Sequence, residues 1–171
     1  ELYLPKNKEI DLSLKNKNAE TLINSTSIQI NNFTYSTDNG NLNFVNGKLK
    51  GNLNITSNKA DFTIKEAVET NYNETTLSLG SGSLKAPTEN FGNITVTKNS
   101  RGIISVNECA TFRGEQKYSG GQINISKAAH IKITAGDTIV NVGEITDAAI
   151  IDLTKSGRVS IDKLNGESSI S

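Results

Sequence analysis

The chain has 171 residues, enough to bury one domain's core. Lys+Arg and Asp+Glu balance at 18 each, so no net field draws in nucleic acid or an anionic membrane. Trp and Met are absent and aromatics are scarce, so the core must come from Ile, Leu, Val and Ala, which suits thin, regular layers. The single cysteine excludes an intrachain disulfide, and no apolar run reaches the length of a membrane span.

In chain order, Leu2-Tyr3-Leu4 and Ile10-Asp11-Leu12-Ser13-Leu14 alternate with period two, the pattern of half-buried strands. Lys15 to Asn18 is turn-like, and Ala19 to Ile23 reads as the start of a short helix. Ser27 to Ile30 and Phe33 to Tyr35 are strand-like. Turns at Asp38-Asn39-Gly40 and Asn46-Gly47 flank Leu42 to Val45. Leu53-Asn54-Ile55 and Phe62-Thr63-Ile64 follow, and Lys65 to Thr75 is a weak strand that reads as a loop or helical excursion.

From Thr76 the rhythm tightens. Leu77-Ser78-Leu79, Ile94-Thr95-Val96-Thr97, Ile104-Ser105-Val106, Ile123-Asn124-Ile125, Ile131-Lys132-Ile133-Thr134, Val140-Asn141-Val142, Ile151-Asp152-Leu153-Thr154 and Val159-Ser160-Ile161 are separated by Gly, Asn or Ser turns. Ile125 to Thr134 also matches Ile145 to Thr154 at five of ten positions, 20 residues apart. A repeating unit of 17 to 20 residues points to a solenoid. Each apolar-x-apolar triplet sends two side chains inward and one outward, and a coil buries its apolar face only against its neighbours. The fold class expected is therefore all-β: a parallel β-solenoid. Residues 1–75 would form less regular or capping coils and residues 76–171 regular ones, in one continuous domain. An antiparallel sandwich also has short strands and evenly spaced turns, but gives no reason for a 20-residue near-identity.

Catalytic, metal and cofactor signatures are missing from this pattern. His130, the only histidine, has no nucleophile-elbow partner motif, and in the 20-residue register it takes the place of Ile150 as a coil residue. Cys109 aligns near Ala128 and Ala148 and reads as a small buried thiol without metal-ligand companions. Glycoside hydrolysis needs two facing carboxylates; Asp137 with Glu144, or Asp147 with Asp152, are the candidate pairs. Asp152, set against Lys132, reads instead as half of a cross-strand ion pair. Gly80-Ser81-Gly82-Ser83 is a turn, with no phosphate-loop lysine or helix after it. Thr97, Thr134 and Thr154 are expected to stack as a hydroxyl ladder. Six Asn-x-Ser/Thr sequons, at Asn24, Asn32, Asn54, Asn73, Asn93 and Asn124, are possible glycosylation sites, and Asn54 and Asn124 should point outward.

Coils such as Asn93 to Thr97 and Ile151 to Ile161 resemble those of secreted β-helical bacterial adhesin passengers: filamentous-haemagglutinin-like two-partner exoproteins, high-molecular-weight adhesins and autotransporters. Thr76 to Ser168 carries the likeness. The small adhesins of bacterial envelopes fit the C-terminal half nearly as well. The resemblance implies a right-handed parallel β-helix, export to the cell surface through an outer-membrane transporter, a role in virulence, and cell adhesion by binding host-cell glycans or proteins. It also implies no enzymatic activity and no cofactor. Glu1 as first residue and the end at Ser171 suggest a piece excised from a longer chain. The alternatives are a β-helical carbohydrate-active enzyme fragment, which a groove of acids and aromatics would favour, and a self-assembling envelope scaffold joined end to end.

Overall fold

A computed structural model describes residues 7–65, 68–116 and 120–171. Eleven strands follow one another among these residues: β1 (Lys8–Lys15), β2 (Thr21–Thr37), β3 (Leu42–Ser57), β4 (Phe62–Ile64), β5 (Val68–Leu79), β6 (Leu84–Asn99), β7 (Ile103–Gln116), β8 (Gly121–Ala135), β9 (Thr138–Leu153), β10 (Arg158–Leu164) and β11 (Glu167–Ile170). Every pairing between them is parallel. The chain winds as a β-solenoid of about eight turns. Long strands bend around corners at register shifts, such as those between Gly51 and Asn52 and between Ala128 and His130.

Parity along each strand builds the core. Leu42, Phe62, Leu84, Ile104, Ile123 and Val140 stack in one inward column, and Phe44, Ile64, Ala86, Val106, Ile125 and Val142 in the next. On another face, Leu53, Thr75, Ile94, Phe112, Ile131 and Ala149 stack inward. Fully burying each large member contributes about 1.5–3 kcal/mol. The early coils are filled by aromatics: Phe33 lies 6.3 Å from each of Tyr35, Phe44 and Phe62, ring centroid to ring centroid. The later coils use Ile, Val and Ala instead.

One corner is held by a recurring buried cap. Thr37 Oγ1 accepts from Gly40 N at 3.1 Å, Ser57 Oγ from Ala60 N at 2.7 Å, and Asn99 Oδ1 from Gly102 N at 2.7 Å. Each polar side chain satisfies a backbone donor that the bend takes out of the ladder. Residues at this corner stack so closely that a Cβ on Gly40, Gly82 or Gly102 would lie 1.9, 2.1 or 1.7 Å from the carbonyl oxygen of Ala19, Ala60 or Gly82.

The stacking register differs from the one the 20-residue identity suggests. Ile125 pairs with Val142 and Ile131 with Ala149, offsets of 17 and 18. Moving a strand by two residues preserves which side chains face inward, so the apolar pattern cannot separate 18 from 20. The one-residue change from an offset of 17 to one of 18 is taken up where the register shifts between Ala128 and His130. Four expectations change with it. His130 stacks on Ala148 rather than Ile150. Cys109 does stack on Ala128, but the next residue in that column is Ile145 rather than Ala148. Lys132 stands beside Ile150 and Asp152 beside Thr134, so they form no pair. The threonine ladder is absent among the described residues: Thr134 lies between Glu115 and Asp152. Thr97 and Thr154 instead donate to Leu77 O and Ala135 O of the preceding coil, both at 3.1 Å.

The helix start expected at Ala19 to Ile23 is strand from Thr21, because Thr21, Leu22 and Ile23 find parallel partners in Leu42, Asn43 and Phe44. The weak segment after Lys65 is strand from Val68, paired to β3; Glu66 and Ala67 lie outside the described residues, as do Leu2, Tyr3 and Leu4.

Candidate functional site

The outward middle residues of successive apolar-x-apolar triplets stack as Lys85, Ser105, Asn124, Asn141 and Ser160. Four of the five are small, polar and uncharged. Asn141 Nδ2 donates to Asn124 Oδ1 at 2.9 Å, and Asn124 Nδ2 to Ser105 Oγ at 3.1 Å. Gln122 Nε2 donates to Asn124 Oδ1 from the same strand at 2.8 Å. Two residues further along each strand the chain turns a corner, at Ser126, Gly143 and Asp162. These two columns floor a groove of about 410 Å³ that crosses β6 to β10, from Pro87 to Ser160 and Asp162.

Two further outward columns lie along the strands before and after the groove floor. On one side, Ile103, Gln122, Ile139 and Arg158 stack outward, with Ile103 and Ile139 exposed. On the other, Glu108, Lys127, Glu144 and Lys163 stack in alternating sign. Lys163 Nζ donates to Glu144 Oε1 at 2.8 Å, and Asn165 Nδ2 donates to the same oxygen. The hydrogen bond from Lys163 is the main reason the Glu144 carboxyl is held below the usual carboxylate range. After the internal bonds are counted, the floor keeps spare capacity: each amide nitrogen has a second N–H, and the Ser105 and Ser126 hydroxyls can still donate. The hydrogen-bonding floor, with exposed Ile103 and Ile139 beside it, can hold a ligand, and among the described residues Asp162 is the one carboxylate that lines it.

Each candidate acid is engaged by a group other than its proposed partner. Asp137 Oδ1 accepts Ser156 N at 3.2 Å while Glu144 is bound to Lys163. Asp147 Oδ2 lies 3.1 Å from His130 Nε2, with both side chains more than half exposed, and Asp152 accepts the Ser171 hydroxyl at 3.4 Å. Cys109 is buried, and that burial pushes its thiol up to about 12. Among the described residues no cluster of His, Cys, Asp or Glu could hold a metal ion.

The sequons fall into two groups. Asn24, Asn54 and Asn73 are exposed, with no side-chain hydrogen bond among the described residues. At the other three, the nitrogen that would carry a sugar already donates: Asn32 to Asp11 at 2.8 Å, Asn93 to Glu74 at 2.7 Å, and Asn124 to Ser105. Sequence reading passed over the groove, although the recurring Ser or Asn at the centre of four triplets could have disclosed it. No protein-family model, curated protein or solved structure matches the chain.

Proposed function

We propose that the chain is a non-enzymatic, adhesive β-solenoid module of a bacterial secreted or surface protein, working by binding rather than by chemistry. The observation that carries this is the groove that crosses five strands, with uncharged hydrogen-bonding rungs at Ser105, Asn124, Asn141 and Ser160 and Asp162 as its lining carboxylate. A stack whose outward positions repeat at each coil presents an extended surface, suited to a partner that is itself extended. Host-cell glycans or proteins are the partners this reading expects, with an outer-membrane transporter engaged during export. Every described aromatic ring is buried, so stacking platforms of the kind that would favour a carbohydrate-active enzyme do not support the alternative.

The test is a glycan and host-cell binding panel run beside a reducing-sugar release assay. Binding without release is expected. Release of reducing ends that disappears in Asp162→Asn would replace this reading with the enzymatic one. If the chain is glycosylated during export, sugar is expected at Asn24, Asn54 and Asn73, whose amide nitrogens have no hydrogen-bond partner among the described residues.

A further inference from the structure

The geometry points to an uncharged, linear polysaccharide as the occupant of the groove, laid parallel to the solenoid axis. This rests on the binding reading above and narrows it to one site and one class of ligand. Three observations carry it.

First, the floor is a row of alternating donors and acceptors repeating once per coil. Ser105, Asn124, Asn141 and Ser160 follow one another at the interstrand spacing of about 4.8 Å. A polymer of pyranose rings, with hydroxyls repeating at a comparable interval, can meet several rungs at once. A globular protein ligand has no such repeat. Second, Ile103 and Ile139 stand two residues from the Ser105 and Asn141 rungs and are 39% and 43% exposed. A sugar ring has an apolar C–H face beside its hydroxyl edge, and these side chains supply the matching surface without an aromatic ring. Third, the charges in the column beyond the groove cancel along the stack, Glu108 against Lys127 and Glu144 against Lys163, and Lys85 and Arg158 stand singly at the two ends of their columns. A polyanion such as a nucleic acid or a uronic acid chain would meet no cationic row, and Asp162 in the floor would repel it.

The groove from β6 to β10 spans four interstrand steps, roughly 19 Å. An axial ligand should therefore gain affinity with length until it covers that span, and then level off.

The full chain would be tested by biolayer interferometry against immobilised dextran, galactomannan and mixed-linkage β-glucan, with polygalacturonate and heparin as polyanions. Binding is expected to at least one neutral chain, with little salt dependence and with the length plateau above in a series of its oligosaccharides. Asn141→Leu should weaken it about tenfold through the lost hydrogen bonds. Ser126→Trp, which fills the groove from an exposed position, should abolish it. Thr76→Val, exposed on another face, should leave it unchanged. Circular dichroism and thermal midpoints confirm that each variant is folded. The inference is overturned by preference for the polyanions, by binding that survives Ser126→Trp in a folded protein, or by binding to no polysaccharide in the panel. If the chain binds none of these yet adheres to host cells, the glycan inference fails and the adhesive reading stands. If it adheres to neither, both fail.

Discussion

At Gly102 the solenoid turns so tightly that the hydrogen on Cα faces the Gly82 carbonyl oxygen, where a methyl group would sit 1.7 Å away. No side-chain rearrangement relieves a clash with backbone, so Gly102→Ala should cost about 3 kcal/mol or more. Gly120→Ala, whose nearest neighbour would be 3.2 Å away, should be far milder. Chemical denaturation of the two variants compares them directly, and equal midpoints would contradict the corner packing. Asn99→Ala strips the same corner of two hydrogen bonds, to Gly102 N at 2.7 Å and Gly102 O at 3.1 Å. A loss of about 1–3 kcal/mol is expected for the groups left unsatisfied.

Cys109 and Tyr72 set the alkaline limit of stability. Burial raises the Cys109 thiol from 9.0 to about 12, and raises the Tyr72 hydroxyl well above 10.0, helped by the charge of Glu89. In each case the unfolded chain gives up its proton first. Stability is therefore full below pH 9 and falls as pH rises towards 12, by up to about 1.4 kcal/mol per pH unit for each group titrating. Cys109→Ala should delay the onset to near pH 10, where Tyr72 begins. Denaturation midpoints from pH 8 upward measure this; identical profiles would show that the thiol is not buried as described.

Along the coil stack, the Glu108, Lys127, Glu144 and Lys163 column couples four coils through their outward charges. Glu144→Lys would set three lysines in a row. The expected result is a lower thermal midpoint at low salt that recovers as salt screens the repulsion. A salt-independent drop would mean that the column contributes no electrostatics. This column also marks how far the sequence could be read. Strand positions and inward parity were legible, because Ile123-Asn124-Ile125 and Val140-Asn141-Val142 alternate cleanly. Coil length was not, because period-two parity is blind to a two-residue slip and the corners at Gly51 and Ala128 carry register shifts without a strong composition signal. The ion column depends on that register and lay out of reach, whereas the groove's rungs were visible as Ser or Asn at the centre of four triplets. The buried caps at Thr37, Ser57 and Asn99 carry no mark of their own in the sequence, since only stacking takes them out of water.

Across the whole molecule, each coil is supported by its two neighbours, so the central coils are held on both sides. Val159 and Ile161 are only partly buried in β10, and Ile170 in β11 is 49% exposed. Hydrogen exchange should be fastest in β10 and β11 and slowest from β6 to β9. The proposed role depends on one geometric claim: that the coils stack at 17 to 19 residues in this part of the chain, which gathers Ser105, Asn124, Asn141 and Ser160 into a single groove. Engineered cysteine pairs in a Cys109→Ala background test it directly. Adjacent parallel strands hold paired Cα atoms about 4.8 Å apart, within reach of a disulfide. Asn124→Cys with Asn141→Cys should cross-link on mild oxidation, while Asn124→Cys with Glu144→Cys, the pair a 20-residue register would bring together, should not. The reverse outcome would contradict the stacking register and remove the groove with it.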